Sequence, residues 1–187
     1  MSKIGRKPID TSKIQVEIDG QKVKLKGPGG TVLIDVPVML KVFLVDKQLC
    51  ITPSLDLKNE NHVIRQETSR LWGLYRALLN NHVQGLEKPF ESELHINGLG
   101  FKAMLTGKSL TFTLGYSHKI NFTIPENVIV EVDKSGQRLL VKSANKESVG
   151  KVCSEIKRLR MPEPYKGTGI KLGKEILFRK PGKTKSA

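Results

Sequence analysis

Three glycine-bearing stretches are the first places to look for chemistry. Gly98-Leu-Gly-Phe-Lys-Ala103 has the spacing of a dinucleotide-binding loop. Such a loop holds a pyrophosphate only where a helix N-terminus follows it and points its free N–H groups at the phosphate. Here Phe101, Ala103 and Leu105 alternate with Lys102, Met104 and Thr106, the period of a strand. Gly107-Lys-Ser109 copies the end of a phosphate-binding P-loop, but the glycine needed five positions earlier is Lys102. It reads as a hairpin turn, as does Gly27-Pro-Gly-Gly30. His62, His82, His95 and His118 are not spaced as metal ligands, and there is no Cys-x-x-Cys pair. Cys50 and Cys153 each lie in an apolar stretch and read as buried, reduced thiols, which implies a reducing compartment. No serine sits in a nucleophile elbow. The expectation is a protein with no catalytic, cofactor or metal residues, and no small-molecule substrate.

Charge says more. The chain has 187 residues and a formal net charge of +14. Such an excess selects polyanionic partners and says nothing about fold. It is unevenly placed. Residues 1–26 hold seven basic and three acidic side chains, and residues 157–187 hold ten basic and two acidic. The stretch between is close to neutral. No apolar run reaches the roughly 18 residues that suggest a bilayer span, so a membrane partner is not expected. A nucleic acid remains. The C-terminal stretch interleaves Tyr165 and Phe178 with its cations, where they could stack on bases or sugars or simply pack, and is rich in glycine, so it reads as an extended arm that orders against a partner. The candidate contacts there are Arg158, Arg160, Tyr165, Lys166, Lys171, Lys174, Arg179, Lys180 and Lys183. Gly167 and Gly169 would let the backbone approach the partner's surface closely. At the other end the candidates are Lys3, Arg6 and Lys7.

These side chains need a scaffold, and the sequence carries one twice. Glu17-Ile-Asp-Gly20 resembles His95-Ile-Asn-Gly98, and Val36-Pro37 resembles Ile124-Pro125. Val45-Asp-Lys47 resembles Val132-Asp-Lys134, and Leu49-Cys-Ile51 resembles Leu139-Leu-Val141. Their common order indicates a duplication. In the first copy, alternation predicts strands at Ile14–Ile18, Val23–Leu25, Thr31–Val36, Val42–Val45 and Leu49–Thr52. A helix follows, with Ile64, Leu71, Tyr75 and Leu78 at helical spacing, Trp72 and Leu79 beside them, and Asn61 as N-cap. In the second copy the strands are Phe101–Thr106, Leu110–Leu114, Ile120–Ile124, Val128–Val132 and Leu139–Val141. The closing helix puts Val149, Val152, Cys153, Ile156 and Leu159 on one face, is capped by Asn145, and stops before Pro162 and Pro164. The fold class is α+β: two duplicated domains, 1–84 and 85–164, each an antiparallel sheet packed with one helix, and a basic arm at 165–187.

Several stretches carry a resemblance. Met-Ser-Lys-Ile-Gly-Arg-Lys-Pro-Ile9, Lys26-Gly-Pro-Gly-Gly30, Gly115-Tyr-Ser-His118 and Pro162-Glu-Pro-Tyr-Lys-Gly-Thr-Gly-Ile170 together resemble the bacterial-type sixth protein of the large ribosomal subunit, in order and over the whole chain. The resemblance implies a structural protein, present in single copy, that binds 23S-type ribosomal RNA through its C-terminal half and tail. It also implies a position near the stalk base, beside the region where translation factors dock, with other large-subunit proteins as neighbours. The compartment it implies is the cytoplasm, or an organelle with its own ribosomes.

Overall fold

A computed structural model describes residues 3–54 and 61–183. The chain forms two compact units, Met1–Pro89 and Phe90–Ala187.

In the first unit, β2 (Gln15–Asp19), β3 (Lys22–Gly27) and β4 (Gly30–Asp35) form an antiparallel meander. Strict alternation makes β3 a two-faced strand. Val23 and Leu25 are fully buried, whereas Lys22, Lys24 and Lys26 face water. A second sheet has the order β1 (Ile9–Asp10), β6 (Gln48–Pro53), β5 (Leu40–Val45). The two-residue turn joining β5 to β6 puts Asp46 and Lys47 at positive φ, as right-twisted hairpins require. Helix α1 (His62–Glu87) covers a core of Ile9, Val23, Leu25, Leu40, Leu49 and Ile51.

The second unit repeats this order. β7 (Phe90–Asn97) is followed by the meander β8 (Lys102–Thr106), β9 (Ser109–Thr113) and β10 (Ile120–Thr123). Then come β11 (Ile129–Val132), β12 (Arg138–Ser143) and helix α2 (Lys146–Leu159). Leu94, Leu110, Phe112, Leu139, Val141 and Ile156 form its core. The side chain of Asn145 accepts a hydrogen bond from the Glu147 amide and caps α2 as expected. Val149, Val152, Cys153 and Ile156 are buried, with Leu159 packed at their edge. Burial pushes the Cys153 thiol above its ordinary value.

The duplication is present, with one correction. Leu49 and Ile51 on β6 and Leu139 and Val141 on β12 occupy the same inward positions. Glu17–Gly20, however, turns from β2 into β3, whereas His95–Gly98 ends β7. By pairing, the counterpart of β7 is the two-residue β1, which lies against β6 as β7 lies against β12. Neither β1 nor the full length of β7 was expected from the sequence.

Three further differences matter. The buried side of α1 runs through Thr68, Trp72, Leu79, Val83 and Leu86, not through Ile64 and Leu78. Trp72 sets this phase, because its indole N–H donates to the Ile51 carbonyl at 2.8 Å from inside the core. Asn61 stands before α1 but its side chain makes no capping bond. The helix continues to Glu87, so the expected boundary after residue 84 falls inside it.

The expected arm also begins too early. β13 (Gly169–Leu172) is the edge strand of a four-stranded sheet in the second unit, order β11-β12-β7-β13, and pairs antiparallel with Asn97 to Leu94. Ile170 is fully buried in the core. The charged residues on either side of this strand disguise a piece of sheet.

Candidate nucleic-acid interface

The cations of the second unit converge because the chain folds back on itself after α2. Arg160 closes the helix, and its carbonyl accepts from the Ile170 amide at 2.9 Å. Between these two, residues 161–168 form a compact loop. Glu163 and Thr168 bond through backbone and side chains, and the Gly167 amide donates to the Glu163 carbonyl at 2.9 Å. Tyr165 and Lys166 stand exposed on this loop.

The tail then returns to the same loop. The Lys180 amide donates to the Pro164 carbonyl at 2.9 Å. The Arg179 guanidinium lies so close over Gly167 that an added Cβ would be 3.0 Å from its Nε. Lys166, Arg179 and Lys180 are thereby gathered around one loop, although thirteen or more positions separate Lys166 from the other two. Lys174 and Lys183 are exposed along the same tail.

Lys171 lies on β13 opposite His95 and is half-buried. Arg158 is exposed on the last turn of α2. Its neighbour Lys157 is engaged elsewhere, in a 2.7 Å ion pair with Glu175. The hydrogen bond from Lys157 holds the Glu175 carboxyl below the usual carboxylate range, helped by the Leu172 amide and by the charges of Lys157 and Lys171. That pair fastens the tail to α2 just beyond β13.

Arg160 has a different setting from the other cations. Its guanidinium lies 4.8 Å from the Tyr116 ring and 5.9 Å from the Phe101 ring. Tyr116 donates its hydroxyl proton to the Leu159 carbonyl at 3.2 Å and stacks near His118, ring centres 6.0 Å apart. Arg160 therefore braces the loop after β9 against the end of α2. The sequence had singled out Gly115-Tyr-Ser-His118 only as a family feature, and no spacing there pointed to Arg160.

Gly167 and Gly169 are both buried, and each has a role within the chain. Gly167 admits Arg179, as described above. At Gly169, φ is +133° and a Cβ would lie 2.7 Å from the Met161 carbonyl oxygen. Gly169→Ala is therefore expected to lower the stability of the second unit by about 2 kcal/mol or more, combining backbone strain with overpacking. Urea unfolding followed by far-UV circular dichroism measures it. A full-stability variant would contradict the close approach.

In the first unit, Lys3, Arg6 and Lys7 are exposed on the turn before β1. Gly5 seats this turn on Trp72, and Arg76 donates to the Lys7 and Pro8 carbonyls at 3.2 and 3.4 Å. The glycine motifs that imitate nucleotide loops are turns. Gly107 joins β8 to β9, Gly98 precedes strand β8, and Gly27 to Gly30 joins β3 to β4, with the Gly29 amide donating to the Leu86 carbonyl at 3.0 Å. Among the described residues, no group of three or more His, Cys, Asp or Glu is arranged to hold a metal, and no helix is long and apolar enough to cross a membrane.

Fold and site together define a class: a basic protein of two repeated α+β units, with its cations gathered where the chain turns back after the second helix. The family model described as ribosomal protein L6 matches residues 97–173, the segment from the end of β7 through β13. Large ribosomal subunit protein uL6 of Azorhizobium caulinodans is 42% identical, covering 99% of this chain and 100% of its own length. The proteins of the same name from an Anaeromyxobacter species and a Methylobacterium species are 40% and 37% identical, each over its full length and over 100% and 99% of this chain. The chain belongs to the large ribosomal subunit protein uL6 family, which is structural and not enzymatic.

Proposed function

We propose that this protein is a single-copy structural constituent of the large ribosomal subunit. It binds 23S-type ribosomal RNA near the stalk base and the factor-docking region, beside other large-subunit proteins, in cytoplasmic or organelle ribosomes. The RNA surface is the loop at 161–168 together with the returning tail, and the turn bearing Lys3, Arg6 and Lys7 is a second contact. The observation that carries this reading is the gathering of Lys166, Arg179 and Lys180 at one loop. Cations fixed in one place neutralise neighbouring phosphates without reading base sequence.

The test is the salt dependence of binding to a large-subunit RNA transcript. Neutralising about six phosphates makes log K fall with log salt at a slope near −4 to −5. Combining Lys166→Gln, Arg179→Gln and Lys180→Gln is expected to make that slope shallower by about 2 to 3. A flat response in the unaltered protein, or an unchanged slope in the triple variant, would remove the basis for this surface.

A further inference from the structure

The tail holds two features that neutralising phosphate does not use. Ile176 and Phe178 are 90% and 94% exposed, although both are large and apolar. A loose tail would leave such side chains in water without meaning. This segment is bracketed. Before it, Glu175 is held by Lys157 at 2.7 Å and accepts from the Leu172 amide at 3.2 Å. After it, the Lys180 amide is held by the Pro164 carbonyl.

Between the brackets, exposure alternates. Glu175 and Leu177 are half-buried, and Ile176 and Phe178 are exposed. That is the pattern of an extended chain presenting every second residue on one side, with those side chains roughly 6.6 Å apart. Lys174, Arg179 and Lys180 flank them. Two apolar groups on a fastened backbone among phosphate-binding cations have the make-up of a platform for an unpaired base. An aromatic face stacks on a base whatever its identity, while neighbouring cations hold the backbone.

The geometry points to Phe178 as a base-stacking residue that takes an unpaired nucleobase of single-stranded RNA, with Ile176 covering the edge of the same base. This rests on the RNA-binding reading above and adds to it the part of the RNA that the tail selects. It commits the tail to a loop, bulge or end of the RNA, because bases inside a duplex offer no free face.

The experiment uses the full chain and two RNA probes of equal length. One is a single strand carrying 2-aminopurine, whose fluorescence falls on stacking, and the other is a blunt duplex. The unaltered protein is expected to quench the single strand. Phe178→Ala should abolish the quenching and weaken single-strand binding about tenfold, the effect of one lost stacking contact. Its salt slope and its duplex affinity should be unchanged, and Phe178→Trp should restore both quenching and affinity. Phe178 is exposed, so the Ala variant should unfold like the parent. If the parent binds RNA but Phe178→Ala matches it in quenching and affinity, the stacking role is wrong and the RNA-binding reading stands. If the parent binds neither probe nor large-subunit RNA, both fail together.

Discussion

A fragment ending at Pro164 is expected to lose the fold of its second unit, whereas one ending at Ile176 is expected to keep it. The shorter fragment lacks β13. Without it, Ile170 no longer fills the core, and the four residues of β7 from Leu94 to Asn97 lose their partners on the edge away from β12. Removing a buried isoleucine side chain alone costs about 2–5 kcal/mol. The unpaired edge of β7 and the loss of Leu172 add to that, against a total of about 5–15 kcal/mol for an ordinary domain. The longer fragment retains β13 and the Lys157–Glu175 pair, and loses four cations, Arg179, Lys180, Lys183 and Lys185. It should unfold cooperatively and bind RNA weakly. The chain's single tryptophan, Trp72, belongs to the first unit, so its fluorescence reports on that unit alone. Circular dichroism should therefore show the loss in the 1–164 fragment while Trp72 emission stays native. Native dichroism and an unchanged melt for that fragment would mean that β13 is dispensable.

The second large effect is expected at Trp72. Its indole fills the first core, bonds the Ile51 carbonyl, and forms the surface on which Gly5 seats the turn with Lys3, Arg6 and Lys7. Trp72→Ala should cost about 3–5 kcal/mol, from the lost packing and the cavity left behind. Trp72→Phe keeps much of the packing but strands the buried Ile51 carbonyl, which costs about 1–3 kcal/mol. Urea unfolding followed by far-UV dichroism should rank the parent above Phe and Phe above Ala. The order would collapse if the alanine variant matched the parent, and Trp72 would then not be the keystone of that core.

Much of the scaffold was legible because burial writes a period into a strand. Val23 and Leu25 between lysines, and Leu110 and Phe112 alternating with Ser109, Thr111 and Thr113, announce which face is inside. Helix α2 was legible for the same reason, with its cap at Asn145. The period fails where an element is too short or its partner too distant. β1 has two residues and no period at all. β13 has one buried isoleucine among glycines and lysines, and its partner β7 lies more than seventy positions earlier, so composition spoke for an arm. Helix α1 was phased only in part, since Leu71 and Tyr75 do pack against the core but its centre lies on the adjacent face with Trp72 and Leu79. Several apolar residues offered both faces, and only the Ile51 carbonyl, reached through the fold, selects the one with Trp72.

The site divides along the same line. The number and sign of the cations are sequence properties, and they were plain. Their meeting is not, since it depends on a backbone bond from Lys180 to Pro164 and on the space above Gly167. The setting of Arg160 between Phe101 and Tyr116 was equally hidden, because those rings come from the segments on either side of the β8–β9 hairpin.

The central claim is that the cationic loop and returning tail of the second unit form the surface that meets large-subunit RNA. Ultraviolet crosslinking of the protein within purified large subunits, with the crosslinked peptides mapped residue by residue, tests it most directly. Crosslinks should concentrate in residues 161–183, with Tyr165, Lys166, Phe178, Arg179 and Lys180 among them, and a smaller set should fall near Lys3, Arg6 and Lys7. Crosslinks confined to the meander strands or to helix α1, with none in residues 161–183, would contradict it.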